Sequence, residues 1–189
     1  MRITAGRHKG RKLAVPPGRD IRPTSDKIRQ AVFNILFGYD LPVGVVVLDG
    51  FCGSGALGLE ALSRGAASCI FIDRNTQTAS RNAHVMEDGH RVTFLTRDIQ
   101  KIGRRTDGVS PAQLVFLDPP YGRDFLPPSL RALESGGWLA PGALCVLECE
   151  KTAEPPLPDV FQTEDIRIYG ATKIILCRYR SAPAEESPE

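Results

Sequence analysis

Val43-Gly44-Val45-Val46-Val47-Leu48 runs directly into Asp49-Gly50-Phe51-Cys52-Gly53-Ser54-Gly55. The first segment is apolar nearly throughout, as a strand covered on both faces should be. The second is a glycine loop that turns the chain into a helix from Ala56 to Arg64, ending at Gly65. Further strands are expected at 68–72, 91–96, 112–117 and 143–148, and helices at 75–87 and 126–134. Upstream, Thr24 or Ser25 caps a helix that reaches about Phe37, with Ile28, Ala31, Val32, Ile35 and Leu36 on its apolar face. Past Pro155, Pro156 and Pro158, segments 161–169 and 173–180 read as a hairpin joined by Gly170-Ala171. This alternation predicts a doubly wound α/β domain. Its seven-stranded sheet is mostly parallel, closes with a C-terminal antiparallel hairpin, and carries its site at the strands' C-terminal edge.

Gly53, Gly55 and Gly58 match the dinucleotide pattern GxGxxG, but a lone match is weak. Asp49 closes the preceding strand, and its carboxylate would repel a pyrophosphate. An acid there suits a cationic ligand such as S-adenosylmethionine, which has ammonium and sulfonium groups and no phosphate. Asp73 follows the second strand at the distance expected of a ribose-binding acid. Asp98 follows the third and is placed to accept from an adenine amino group. Each alone is more often a helix cap or a solvated acid. Three of them at the ends of three strands point to one crevice.

A fourth acid opens Asp118-Pro119-Pro120-Tyr121, at the end of the apolar run 112–117. The carboxylate and the Pro119 carbonyl can accept from a planar amino group, while the tyrosine ring face stacks on the base that bears it. The cup predicts methylation of an exocyclic base nitrogen, with Asp118, Pro119, Pro120 and Tyr121 as the catalytic set. The hydroxyl of Tyr121 is expected to matter little. Glu148 and Glu150 read as surface or supporting acids, and His84 and His90 have no partner by spacing.

The chain has 189 residues, room for one α/β domain, and a net charge of +2. That charge is unevenly spread. Residues 1–30 hold nine basic and two acidic side chains, leaving 15 basic against 20 acidic in the other 159, so +7 faces −5. The basic end predicts an anionic partner. Residues 1–20 are expected to form a small hairpin extension that meets RNA through Arg2, Arg7, His8, Lys9, Arg11 and Lys12, without touching the donor pocket. Residues 21–180 form the main domain and 181–189 a frayed tail. The five cysteines are an odd number with no CxxC pair. They read as reduced thiols of a cytoplasmic protein, with no metal site. No apolar run approaches membrane-spanning length.

Residues 2–180 resemble the RsmD-like 16S rRNA (guanine-N2) methyltransferases. The resemblance is carried by Arg22-Pro23-Thr24-Ser25-Asp26-Lys27-Ile28-Arg29-Gln30-Ala31-Val32-Phe33-Asn34, by Asp49 to Gly55 continuing through Ala66, and by Asp118 to Tyr121. Opening residues 2–13 and the late Tyr169-Gly170 add weaker matches. The chain departs from the common pattern at Gly50, at Cys52 and at Tyr121, where Phe is frequent. The resemblance implies a class I, Rossmann-like methyltransferase fold, S-adenosyl-L-methionine as donor, and a guanine of small-subunit 16S rRNA as acceptor. It implies action on an assembled or assembling subunit, and the chain is expected to be a monomer. The expected donor-binding set is Thr24, Asp49, Cys52, Gly53, Ser54, Gly55, Asp73, Arg74, Asp98 and Ile99, and Arg22 and Arg29 join the RNA-binding set. Two other readings stay open from the residues alone: an adenine-N6 DNA methyltransferase, and a non-enzymatic RNA-binding assembly factor.

Overall fold

The computed structural model describes residues 1–16 and 26–181. Thr24, Arg22, the expected domain boundary at 20/21 and nearly all of the expected tail lie outside the described residues. The elements run in the order α1 (Asp26–Phe37), β1 (Val46–Gly50), α2 (Ala56–Ser63), β2 (Ser68–Asp73), α3 (Gln77–Val85), β3 (Val92–Thr96), β4 (Ala112–Leu117), α4 (Leu126–Ser135), β5 (Leu139–Glu150), β6 (Phe161–Tyr169) and β7 (Thr172–Tyr179). All seven strands join one sheet in the order β3-β2-β1-β4-β5-β7-β6. β1 to β5 pair in parallel, and β7 inserts antiparallel between β5 and β6. The expected α/β class, with its mostly parallel sheet and C-terminal hairpin, is the observed fold.

Alternating strand residues feed two cores, one on each face. Val47, Phe71, Phe116 and Val146 pack with Phe33, Leu36, Leu59 and Leu62. Leu48, Ile72, Leu117 and Leu147 pack with Leu130, Leu133 and Trp138 on the other face. Close contact between α2 and β2 requires Gly58, since a Cβ there would lie 2.5 Å from Cys69 Sγ and from the Phe71 ring. All five cysteines are buried and unbridged.

Two strand boundaries differ from expectation in ways that matter. β1 begins at Val46, because Gly44 turns at φ +72° and bonds to the Gly65 carbonyl. It extends to Gly50, so Asp49 lies within the ladder, paired in register with Phe71 and Phe116. β5 likewise extends past the expected end at 148 to Glu150, so Glu148 lies within the ladder, paired in register with Ile174.

The basic extension closes through a single antiparallel bridge, Arg2 to Lys12, rather than through two strands. Ile3 and Leu13 bury themselves in the α1/α2 core. Three buried polar side chains hold the segment. Glu60 accepts from Thr4 N–H, Thr4 Oγ1 and Ala5 N–H at 2.7–3.0 Å. Asp88 is fully buried and faces Arg7, His8 and Arg91. Asn82 accepts from Ala14 N–H and donates to the Ala14 and Ser54 carbonyls, tying the extension directly to the glycine loop. Gly6 turns at φ +80° against the end of α2, where any Cβ would collide with the Ser63 carbonyl.

Candidate active site

Strand order reverses direction between β1 and β4, and such a switch point opens a crevice at the C-terminal edge. A cavity of about 410 Å³ lies there. Its lining includes Asp49, Cys52, Gly53, Ser54, Asp73, Arg74, Asp98, Ile99 and the whole Asp118–Tyr121 cup. Of the expected donor-binding residues that are described, only Gly55 is absent from the wall. It turns at φ +76° as the N-cap of α2, close against Ala79 and Phe71.

The loop is held from below. Gly53 N–H donates to Asp73 Oδ2 at 2.9 Å, and Asn75 N–H to Asp73 Oδ1 at 3.1 Å. Asp49 Oδ2 accepts from Gly58 N–H at 2.9 Å, so this carboxyl also fastens the first turn of α2. Burial pushes the Asp49 carboxyl well above the ordinary carboxylate value, and nearby Asp118 and Asp73 push it further. Asp98 differs. Its pairing with Arg74 at 2.6 Å holds its carboxyl below the usual range. Phe51 sits at φ +60°, a conformation that costs a non-glycine residue energy and that clusters at functional sites. Its ring packs on Phe125 at 5.7 Å between centroids.

The acceptor cup is braced from the far strands. Tyr121 Oη donates to Glu148 Oε1 at 3.2 Å and lies 3.0 Å from Thr172 Oγ1. Burial, then the Glu148 and Asp118 carboxylates, push the phenol up to about 12 against a lowering by the Thr172 bond, so it stays protonated and donates. Glu148 is buried rather than on the surface, and it lines the cavity. Asp118 and Glu148 follow the registered pair Leu117 and Leu147 on neighbouring parallel strands, which sets them side by side.

The expected RNA-binding residues divide. Arg2, Lys9, Arg11 and Lys12 are exposed on the extension. Arg7 is exposed but paired with Asp88, and His8 turns inward to the same carboxylate at 3.4 Å. Arg29 is a correction. It is completely buried, paired with Glu60 at 3.3 Å and Asp26 at 2.9 Å, and bonded to the Arg2 carbonyl, so it holds the extension rather than meeting a phosphate. The separation of extension from donor pocket is a second correction, since Met1, Val15 and Pro16 form part of the cavity wall. Sequence reasoning read Glu148 as a surface or supporting acid, of which the structure shows the supporting one, and passed over Arg97, Phe125, Thr172 and Asn82. Only Phe125, an aromatic four residues beyond Tyr121, carried a local signal.

The sheet order, the glycine loop over Asp73 and the acid-Pro-Pro-aromatic cup together define a class I methyltransferase. The chain belongs to the RsmD-like family: residues 1–178 match the family model described as Conserved hypothetical protein 95. Ribosomal RNA small subunit methyltransferase D of Escherichia coli (strain K12) is 37% identical over 163 residues, covering 85% of this chain and 79% of that one. Bacillus subtilis YlbH is 33% identical over 189 residues, covering 95% and 100%. The solved structure of Escherichia coli yhhF superposes with a TM-score of 0.81 at 32% identity, covering 95% of this chain and 98% of that chain.

Proposed function

We propose that this protein methylates the exocyclic N2 of a guanine in small-subunit 16S rRNA, using S-adenosyl-L-methionine, and that it works in the cytoplasm as a monomer on an assembled or assembling subunit. The observation that carries the reading is the opening of the glycine loop and the acceptor cup onto one cavity. The donor set fits this cofactor. Asp49, Asp73 and Asp118 line the cavity together, which favours a cationic ligand without phosphates. Asp73 would take the ribose, Asp98 and Ile99 the adenine end, and Gly53 the close backbone approach. Bound there, the donor supplies an electrophilic methyl on a sulfonium leaving group.

The protein's task is positional. The lone pair of guanine N2 is delocalised into the ring, so the amine is a poor nucleophile. Accepting its two N–H bonds at the Asp118 carboxylate and the Pro119 carbonyl makes the nitrogen more pyramidal and aims the lone pair at the methyl. As the N–C bond forms and the C–S bond breaks, the nitrogen's surplus proton leaves to Asp118 or water. Orientation of this kind contributes about 7–11 kcal/mol in favourable cases. Tyr121 stacks on the base after it leaves its RNA stack.

The names of the relatives support ribosomal RNA as the acceptor. Among the described residues no helix is long and apolar enough to cross a membrane, and no cluster of His, Cys, Asp and Glu is arranged to hold a metal. Transfer of a radiolabelled methyl to undermethylated small subunits, free rRNA and duplex DNA tests the proposal. Labelled N2-methylguanine in the subunit arm is expected. Label confined to DNA adenine, or none in any arm, overturns it.

A further inference from the structure

Beside the donor cavity lies a second one of about 310 Å³, lined by Pro119, Pro120, Tyr121, Arg123, Glu148 and Pro155 among others. The two share Pro119, Pro120, Tyr121 and Glu148. Asp118 borders only the donor cavity, so the carboxylates mark the two sides of the passage between them. Asp118 follows the last residue of β4 and Glu148 lies within β5, each just past the registered pair Leu117 and Leu147, and adjacent strands lie about 4.8 Å apart. Carboxylates carried by two neighbouring strands can each accept from one of two neighbouring donors on the edge of a base.

We infer that the second cavity receives the target base and that Glu148 selects guanine by accepting its N1–H, while Asp118 accepts from N2. This rests on the guanine-N2 reading above. Guanine alone among the RNA bases presents a ring N–H beside an exocyclic amine on a six-membered ring edge flanked by a single carbonyl. Adenine places a bare N1 lone pair at that point, and against a buried carboxylate this costs a lost hydrogen bond and a repulsion. Glu148 is held for the task. Tyr121 donates to Oε1 and is itself braced by Thr172.

A merely structural Glu148 would hold Tyr121 and be indifferent to N1. The experiment separates these roles with a base analogue. After wild-type product mapping locates the methylated guanine, small subunits are assembled on rRNA carrying either guanine or 2-aminopurine there. 2-Aminopurine keeps the 2-amino group but has a bare N1. The wild-type protein is expected to transfer to guanine at least about a hundredfold faster in single turnover, since a site built to bond a group rejects the analogue lacking it. In Glu148→Gln the amide can accept from N1–H or donate to bare N1, so the preference should shrink by about tenfold or more, with the absolute rate on 2-aminopurine rising. Thr172→Val, which loosens Tyr121 without touching N1, should slow both substrates alike. Equal slowing of both by Glu148→Gln, or a wild-type protein indifferent to the analogue, overturns the inference. Both arms need wild-type transfer to guanine, and its absence would instead sink the guanine-N2 reading.

Discussion

Asp118 announces itself in the sequence because an acid before two prolines at a strand end has few purely structural reasons to be there. Asp118→Ala is expected to keep donor binding and to slow methyl transfer by at least about two orders of magnitude, or about 2.7 kcal/mol of barrier. Single-turnover transfer with saturating donor measures this, and a wild-type rate from folded, donor-bound protein would assign the amine to other residues. Glu148 could not be read in the same way. From the sequence it is one acid among several after a strand, and its meaning arises only where β7 brings Thr172 beside Tyr121. The same contact revises the expectation for Tyr121→Phe. The ring face remains, but two hydrogen bonds go, and a loss of about 1 kcal/mol, or roughly fivefold in rate, is expected. Asp49 carries a pH dependence. Its carboxyl in the folded protein lies above the ordinary 3.8, so the native state holds a proton that the unfolded chain has released. Its contribution to stability therefore falls as pH rises from 3.8 through the folded value. A cation in the cavity favours the ionised form, so donor affinity should rise with pH across that window, with a proton released on binding. Titration calorimetry in two buffers of different ionisation enthalpy detects the release, and pH-independent affinity with no release would remove Asp49 from cation binding.

Helices and strands were legible almost throughout, because a sheet covered on both faces turns its strands into short continuous apolar runs while the covering helices keep a period of 3.6. The extension was legible only as charge and turns. Its attachment depends on Glu60, Asn82 and Asp88, which stand about 50 to 80 residues away in sequence and have no local signature. Arg29 shows the same blindness: a basic side chain in a basic segment reads as a phosphate ligand until its burial against Glu60 is seen. Attachment changes what a truncation should do. Removing residues 1–16, or replacing Asn82 by Ala, takes away part of the cavity wall or its tie to Ser54. Donor affinity is expected to fall by tenfold or more, about 1.4 kcal/mol, along with RNA binding. Calorimetric donor binding to a truncated protein that still melts cooperatively checks this, and an unchanged dissociation constant would show the extension to be independent of the donor cavity.

Over the whole molecule, charge is segregated so that exposed Lys9, Arg11 and Lys12 project from an otherwise acidic body. Replacing all three by Glu should weaken binding to rRNA. It should also flatten the plot of log affinity against log salt by about two to three units of slope, at roughly 0.7–0.9 for each phosphate no longer neutralised. An unchanged slope would mean that these side chains meet no phosphate. The placement of β7 between β5 and β6 has a further bearing on the life of the chain. Proteins emerge from synthesis N-terminal end first, at about 5–20 residues per second. The donor cavity draws its lining from residues up to Glu148, but the brace on Tyr121 waits for Thr172, on the last strand to be made. A nascent chain thus completes the residues of its donor cavity about one to five seconds before Thr172 is made, and competence to modify arrives only when the final strand pairs with β5.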